Sequence, residues 1–183
     1  MNENYWKKFY AKFKCKEPSD FAKFCARRIS KKQVIIDVGC GNMRDSKFFA
    51  AKKYTVVPVD RMAVSPDCNR SDAVEFLKKL DGYYKNPAIY ARFFLHAIEK
   101  EELQRFLKLV CDKGFDFYAE ARSDKDENIK QDKSHKRNLI NAHWLAQYLL
   151  SSNYDLVYFT EGKGMAKWKS EDPIVIRLIA KRR

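Results

Sequence analysis

Residues 34–46 read Val-Ile-Ile-Asp-Val-Gly-Cys-Gly-Asn-Met-Arg-Asp-Ser, and no other stretch restricts the fold as strongly. Four of its first five residues are β-branched and apolar, Gly39 and Gly41 then break the run, and polar residues follow where a helix should begin. The pattern predicts a buried strand, a tight turn and a helix start. Glycine lets the backbone turn sharply and come close to a ligand, while the free N–H groups of a helix N-terminus favour an anionic group such as a carboxylate. That is the layout of a nucleotide-type ligand site.

A second strand is predicted over 54–60, ending in Asp60, nineteen residues past Gly41. In a doubly wound sheet an acid at about that spacing sits at the carboxyl end of the neighbouring strand and accepts hydrogen bonds from both ribose hydroxyls. A dinucleotide dehydrogenase uses the same arrangement. Against it, the third glycine of the dehydrogenase fingerprint is replaced by Arg44, and 183 residues leave no room for a separate substrate domain.

The Asp37-x-Gly39-x-Gly41 pattern after a strand resembles motif I of the class I, Rossmann-like, S-adenosylmethionine (SAM) dependent methyltransferases. The resemblance is strong over 34–60 and looser over most of the remaining chain. It implies one doubly wound, seven-stranded, mostly parallel sheet with its last strand antiparallel. Residues 1–30 would form helices that close over the pocket, and residues 31–183 the core. SAM is the implied cofactor. Asp37, Gly39, Gly41, Asp60 and Arg61 fall in its site, with Arg44 and Asp45 toward its charged amino-acid end and Asp72 against the adenine amino group. Asp45 and Asp72 suit helix caps equally well. The family often has a glycine where this chain has Met43.

The rest of the chain fits that outline. Tyr5, Phe9 and Phe13 recur at helical spacing beside Trp6 and Tyr10, and a second helix follows Pro18 with Phe21, Phe24 and Cys25 on one side. Trp6 and Tyr10 suit a pocket wall, each having an apolar body and a polar tip. A crossover helix is expected over 45–53, loop over 65–69 and a helix from Ser71 to Leu80. Residues 86–98 read as strand four, 115–122 as strand five, 154–160 and 174–180 as a final antiparallel pair, and 141–150 as the helix before them.

Open α/β sheets bind ligands beyond the carboxyl ends of their strands, where Tyr90, Arg92 and His96 would lie. The segment Arg92-Phe-Phe-Leu-His96 looks like the post-strand segment of small-molecule methyltransferases, including a group associated with surface-polysaccharide and lipid-linked sugar modification. Tyr90 is counted with the cofactor site. Arg92, Arg122 and Arg137 are candidates for holding a phosphate or carboxylate through guanidinium forks. His96 and His135 titrate near neutral pH and are candidate bases for a hydroxyl acceptor, with Glu120 a third.

The net charge of +13 sits at the ends: residues 1–33 hold ten Lys/Arg against three acids, and 163–183 seven against two. Basic ends attract anionic partners, whether a phosphorylated small molecule, a glycan, nucleic acid or lipid headgroups, although solvated lysine faces explain them equally well. The five cysteines are odd in number and lack Cys-x-x-Cys spacing, which predicts reduced thiols, no zinc site and a cytoplasmic setting. No apolar run approaches a membrane span. The leading expectation is an O-methyltransferase for a small, phosphorylated or carbohydrate acceptor. An RNA or DNA methyltransferase and a SAM-binding partner subunit without catalysis are the alternatives.

Overall fold

Successive side chains on a strand point to opposite faces of a sheet, so a strand covered on both faces must be apolar on both. The central strands of this chain follow that rule. The computed structural model describes residues 5–6, 9, 17–62, 65–80, 82, 84, 86–126 and 138–183. Its strands are β1 (Ile35–Val38), β2 (Val56–Asp60), β3 (Asn69–Arg70), β4 (Ala88–Arg92), β5 (Asp116–Arg122), β6 (Tyr154–Gly162) and β7 (Val175–Arg182). They form one sheet in the order β3-β2-β1-β4-β5-β7-β6. Pairs among the first five strands are parallel, and β7 runs antiparallel to both β5 and β6. The expected seven-stranded, doubly wound sheet with an antiparallel last strand is therefore present.

Helices α1 (Asp20–Ala26) and α2 (Arg44–Ala51) cover one face, where Ile35, Ala88, Tyr90, Tyr118 and Ile179 pack with Phe21, Phe24 and Phe49. Helices α3 (Ala73–Lys78), α4 (Lys100–Asp112) and α5 (Ala142–Ser151) cover the other. There Ile36, Val38, Ile89, Ala91, Phe117 and Ala119 meet Leu77, Phe106, Leu107 and Leu145. The two sets interleave along β1, β4 and β5 with period two, as a sheet packed on both sides requires.

Two elements differ from expectation. The third strand is only Asn69–Arg70, inside a stretch read as loop, because two polar residues leave no hydrophobic run to detect. Strand four ends at Arg92 rather than continuing to residue 98. Phe93 has φ 55°, a left-handed conformation that cannot extend a strand, and Leu95–Ala97 forms a 3-10 turn whose side chains are buried. The apolar residues after Arg92 thus pack a corner.

Helix α1 is latched to the core by a few polar contacts. Ser19 caps α1 by accepting from the Ala22 N–H (3.0 Å), and it donates to Asp45 through both its N–H (2.8 Å) and its hydroxyl (2.6 Å). Tyr5, Trp6 and Phe9 are helical and their rings pack together. Tyr10 and Phe13 lie outside the described residues. Ser19→Ala removes the cap and one buried bond to a carboxylate, and should lower unfolding free energy by about 2 kcal/mol in urea titration. A change below a few tenths would mean that this latch carries no stability.

Candidate functional site

The carboxyl ends of β1, β2 and β4 surround a cleft lined by Gly39, residues 59–62, residues 71–73, Phe93, Phe94, Ala97 and Glu102, with Trp6 on its remaining side. It lies where the strand order reverses between β1 and β4, the position at which open α/β sheets bind ligands.

The turn after β1 is built from left-handed residues: Gly39 (φ 69°), Gly41 (φ 57°) and Met43 (φ 61°). Glycine adopts this conformation freely, whereas a methionine there is strained by about 1–2 kcal/mol. Met43 takes up this glycine-favouring backbone state and buries its side chain in doing so. At Gly39 a Cβ would meet the Phe94 ring at 2.7 Å, so the absent side chain makes room for that phenylalanine.

Asp60 ends β2 with its carboxylate oriented by two backbone donors. Gly41 N–H donates to Oδ2 (2.9 Å) and Met62 N–H to Oδ1 (2.7 Å). Each oxygen keeps lone-pair capacity, and the residue lines the cleft. Beside it, Arg61 is held by Asp72 and by Glu102 (2.9 Å). Asp72 also caps α3, accepting from the Glu75 N–H at 3.1 Å. Burial pushes the Asp72 carboxyl up, but the Arg61 hydrogen bond and the cap outweigh it and hold the group below its ordinary range. At Glu102 burial prevails and the carboxyl is raised.

Several residues expected to touch cofactor or substrate have hydrogen-bond partners within the protein. Asp37 is buried and accepts from the Ser46 hydroxyl, bracing the turn against α2. Asp45 receives Ser19, the Tyr90 hydroxyl (2.8 Å) and Arg44 Nε (3.2 Å), so its carboxylate faces protein. Burial pushes it up, and the Arg44 and Arg92 charges with the Ser19 bonds hold it below the usual value. Tyr90 is fully buried, stacked on Phe21, and takes no part in the cleft.

Glu120 likewise has partners within the protein. Strand register sets Arg92 opposite Glu120 and Glu120 opposite Arg177. Glu120, expected as a candidate base, accepts from Arg92 Nε (3.0 Å) and Arg177 Nε (2.9 Å) and has no solvent exposure. His96, the other candidate base among the described residues, is engaged as well. Its Nδ1 accepts from the Arg122 N–H (3.1 Å), which places the proton of the neutral ring on Nε2 and leaves no accepting nitrogen for a substrate. Arg122 pairs with Asp126 (3.0 Å) and Glu171 (2.9 Å), tying down the loop before β7. His135 and Arg137 lie outside the described residues.

Trp6 lines the same cleft as Asp60 rather than a separate acceptor pocket. Arg92 keeps a different resource: beyond its Glu120 bond, its two Nη groups make no hydrogen bond among the described residues, and its guanidinium lies over the Phe93 ring at 4.4 Å. Sequence reading missed Arg177 and Ser19. Arg177 becomes visible once β5 and β7 are paired; nothing in the sequence points to Ser19 as a partner of Asp45.

Two predictions follow from these buried acids. Burial raises the Asp37 carboxyl from 3.8 to about 7, against the Ser46 hydrogen bond. Its folded form therefore holds a proton that the unfolded chain releases, and stability declines as pH climbs from about 4 to about 7, the loss being complete above that window. Asp37→Asn should melt several degrees higher than the parent near pH 8 and close to it near pH 5; the same difference at both would refute the shift. Glu120→Ala leaves two guanidinium groups without their carboxylate and should destabilise by about 3–5 kcal/mol in chemical denaturation. Full stability with lost activity would reinstate it as a catalytic group.

No protein-family model and no curated protein matches the sequence. Solved structures do match the fold. A SAM-dependent methyltransferase from Anabaena variabilis is 17% identical with TM-score 0.70, covering 99% of this chain and 93% of its own. One from Archaeoglobus fulgidus is 18% identical with TM-score 0.62, covering 88% and 94%. The Burkholderia thailandensis 1,6-didemethyltoxoflavin-N1-methyltransferase, solved with S-adenosylhomocysteine, is 14% identical with TM-score 0.67, covering 89% and 77%. The chain has the class I SAM-dependent methyltransferase fold.

Proposed function

We propose that the protein is a SAM-dependent methyltransferase acting on a hydroxyl of a small anionic acceptor, such as a phosphorylated or carbohydrate compound. The observation that carries this reading is Asp60, its two oxygens aligned by Gly41 and Met62 N–H groups at the edge of a cleft in this fold. The residues fit the cofactor. Asp60 has the unused acceptor capacity that a ribose diol needs, and Arg61, Asp72 and Trp6 line the same cleft for the adenine. Met43 supplies no side-chain cap to α2, where Asn42 Oδ1 accepts from the Arg44 N–H (3.3 Å), and the N-terminal end of a helix favours an anionic group such as the cofactor's carboxylate.

When bound, SAM supplies an electrophilic methyl group on a sulfonium. The chain's own work is to hold the acceptor in line and keep water out. Phe93 and Phe94 provide apolar cleft wall next to Gly39. Arg92 presents guanidinium N–H groups beside Phe93, suited to a phosphate or carboxylate on the acceptor. A base for the acceptor hydroxyl remains to be supplied, and His135 is the histidine we assign to it, since Nδ1 of His96 is already engaged.

A radiolabelled-methyl screen of sugar phosphates, glycans, small amines and RNA tests the acceptor class; incorporation into amines or RNA alone would overturn the hydroxyl assignment. Asp60→Ala should weaken SAM binding by about tenfold or more, the loss expected for hydrogen bonds to a charged group. Arg92→Lys keeps the charge beside Glu120 but loses the fork, and should raise the acceptor KM by about tenfold with SAM affinity unchanged. Equal weakening of both ligands would assign Arg92 to the scaffold.

A further inference from the structure

Cys40 and Cys68 are 28 residues apart in sequence, yet their sulfur atoms approach to 3.3 Å. We propose that this pair is a reversible redox site, in which peroxide joins the two thiols as a disulfide that clamps the glycine turn to the loop after β2 and weakens cofactor binding. The consequence for binding rests on the cofactor reading above; formation of the bond does not.

The two thiols flank the residues that shape the cleft. Cys40 stands between Gly39 and Gly41, and the N–H groups of Gly39 and Cys40 both donate to the Val59 carbonyl (2.8 and 3.2 Å). Cys68 lies on the other flank, directly before Asn69, which pairs with Val59 in the sheet. Closing the sulfurs from 3.3 Å to the bonded distance of about 2.05 Å takes up more than an ångström between the turn and the loop. Gly41, whose N–H orients Asp60, is the next residue along that turn.

The chemistry is favourable at this pair. Cys40 is half-buried and Cys68 is buried, as are Cys25 and Cys111, so what sets this pair apart is the approach of its two sulfurs together with the partial access to Cys40. In the S–H···S contact between them either sulfur can be the donor, and the contact favours the thiolate on one at the expense of the other; with Cys40 donating, the Cys68 thiol is lowered and ionises first. Its thiolate attacks one peroxide oxygen, the O–O bond breaks, and the departing hydroxide takes up a proton to become water. Cys40 then loses its proton and its sulfur attacks the Cys68 sulfur, breaking the S–O bond and releasing a second water. Two thiols give up two electrons, and one peroxide is reduced to two waters.

The test uses the full chain, folded, treated with stoichiometric hydrogen peroxide, then alkylated and mapped by mass spectrometry. S-adenosylhomocysteine binding is measured by calorimetry before oxidation, after it, and after dithiothreitol. The expected result is a cross-linked peptide pair containing residues 40 and 68, an affinity loss of about tenfold, and recovery on reduction. Cys68→Ser should bind as the parent does and lose the response to peroxide. Absence of the cross-link in the folded chain would overturn the redox site, and a cross-link with unchanged affinity would overturn the clamp. Failure of the reduced parent to bind would refute the cofactor reading and the clamp together, with the cross-link still judged by its peptide.

Discussion

The hydrogen bond from the Gly41 N–H to the Asp60 carboxylate joins the turn after β1 to the end of β2, and the rest of the site is arranged around it. Gly41 is left-handed, and Gly39 and Met43 on either side share that conformation. With the backbone in this state, α2 starts beside the cleft, Phe94 fills the space over Gly39, and Asp60 is fixed by a second donor from Met62. A carboxylate held from behind by two backbone donors needs no reorganisation to accept further hydrogen bonds in front. The site is thus set by the backbone of one turn more than by side chains reaching from afar.

Behind the cleft lies a row of buried charge. Arg92, Glu120 and Arg177 are neighbours across three strands, and Asp45 collects Ser19, Tyr90 and Arg44 on the same face. Buried charges are tolerated when paired and hydrogen-bonded, and cost several kcal/mol when one partner is lost. This row gives Glu120, expected as a base, and Tyr90 and Asp45, expected at the cofactor, partners within the protein. It also ties α1 to the core, since Ser19 both caps that helix and bonds Asp45.

Much of the architecture was legible because local patterns carried it. The β-branched run at 34–38, the two glycines and the acid at residue 60 are short-range signals, and each element they predicted is present. β3 escaped because two polar residues show no periodicity. The end of β4 was misread because Phe93 turns the chain with a conformation that its side chain does not advertise. Polar partnerships were the least legible. The engagement of His96 with the Arg122 backbone, or of Asp45 with Ser19, joins residues 26 apart in sequence and depends on packing that no spacing rule encodes.

The central claim is that one aspartate receives both hydroxyls of an adenosyl ribose. It is tested most directly by comparing, through calorimetric titration of the whole chain, S-adenosylhomocysteine with its 2′-deoxy and 3′-deoxy analogues. The account predicts that each deletion weakens binding by about tenfold, since each removes one hydrogen bond to a carboxylate. Three equal affinities, or no binding by any of the three, would contradict it.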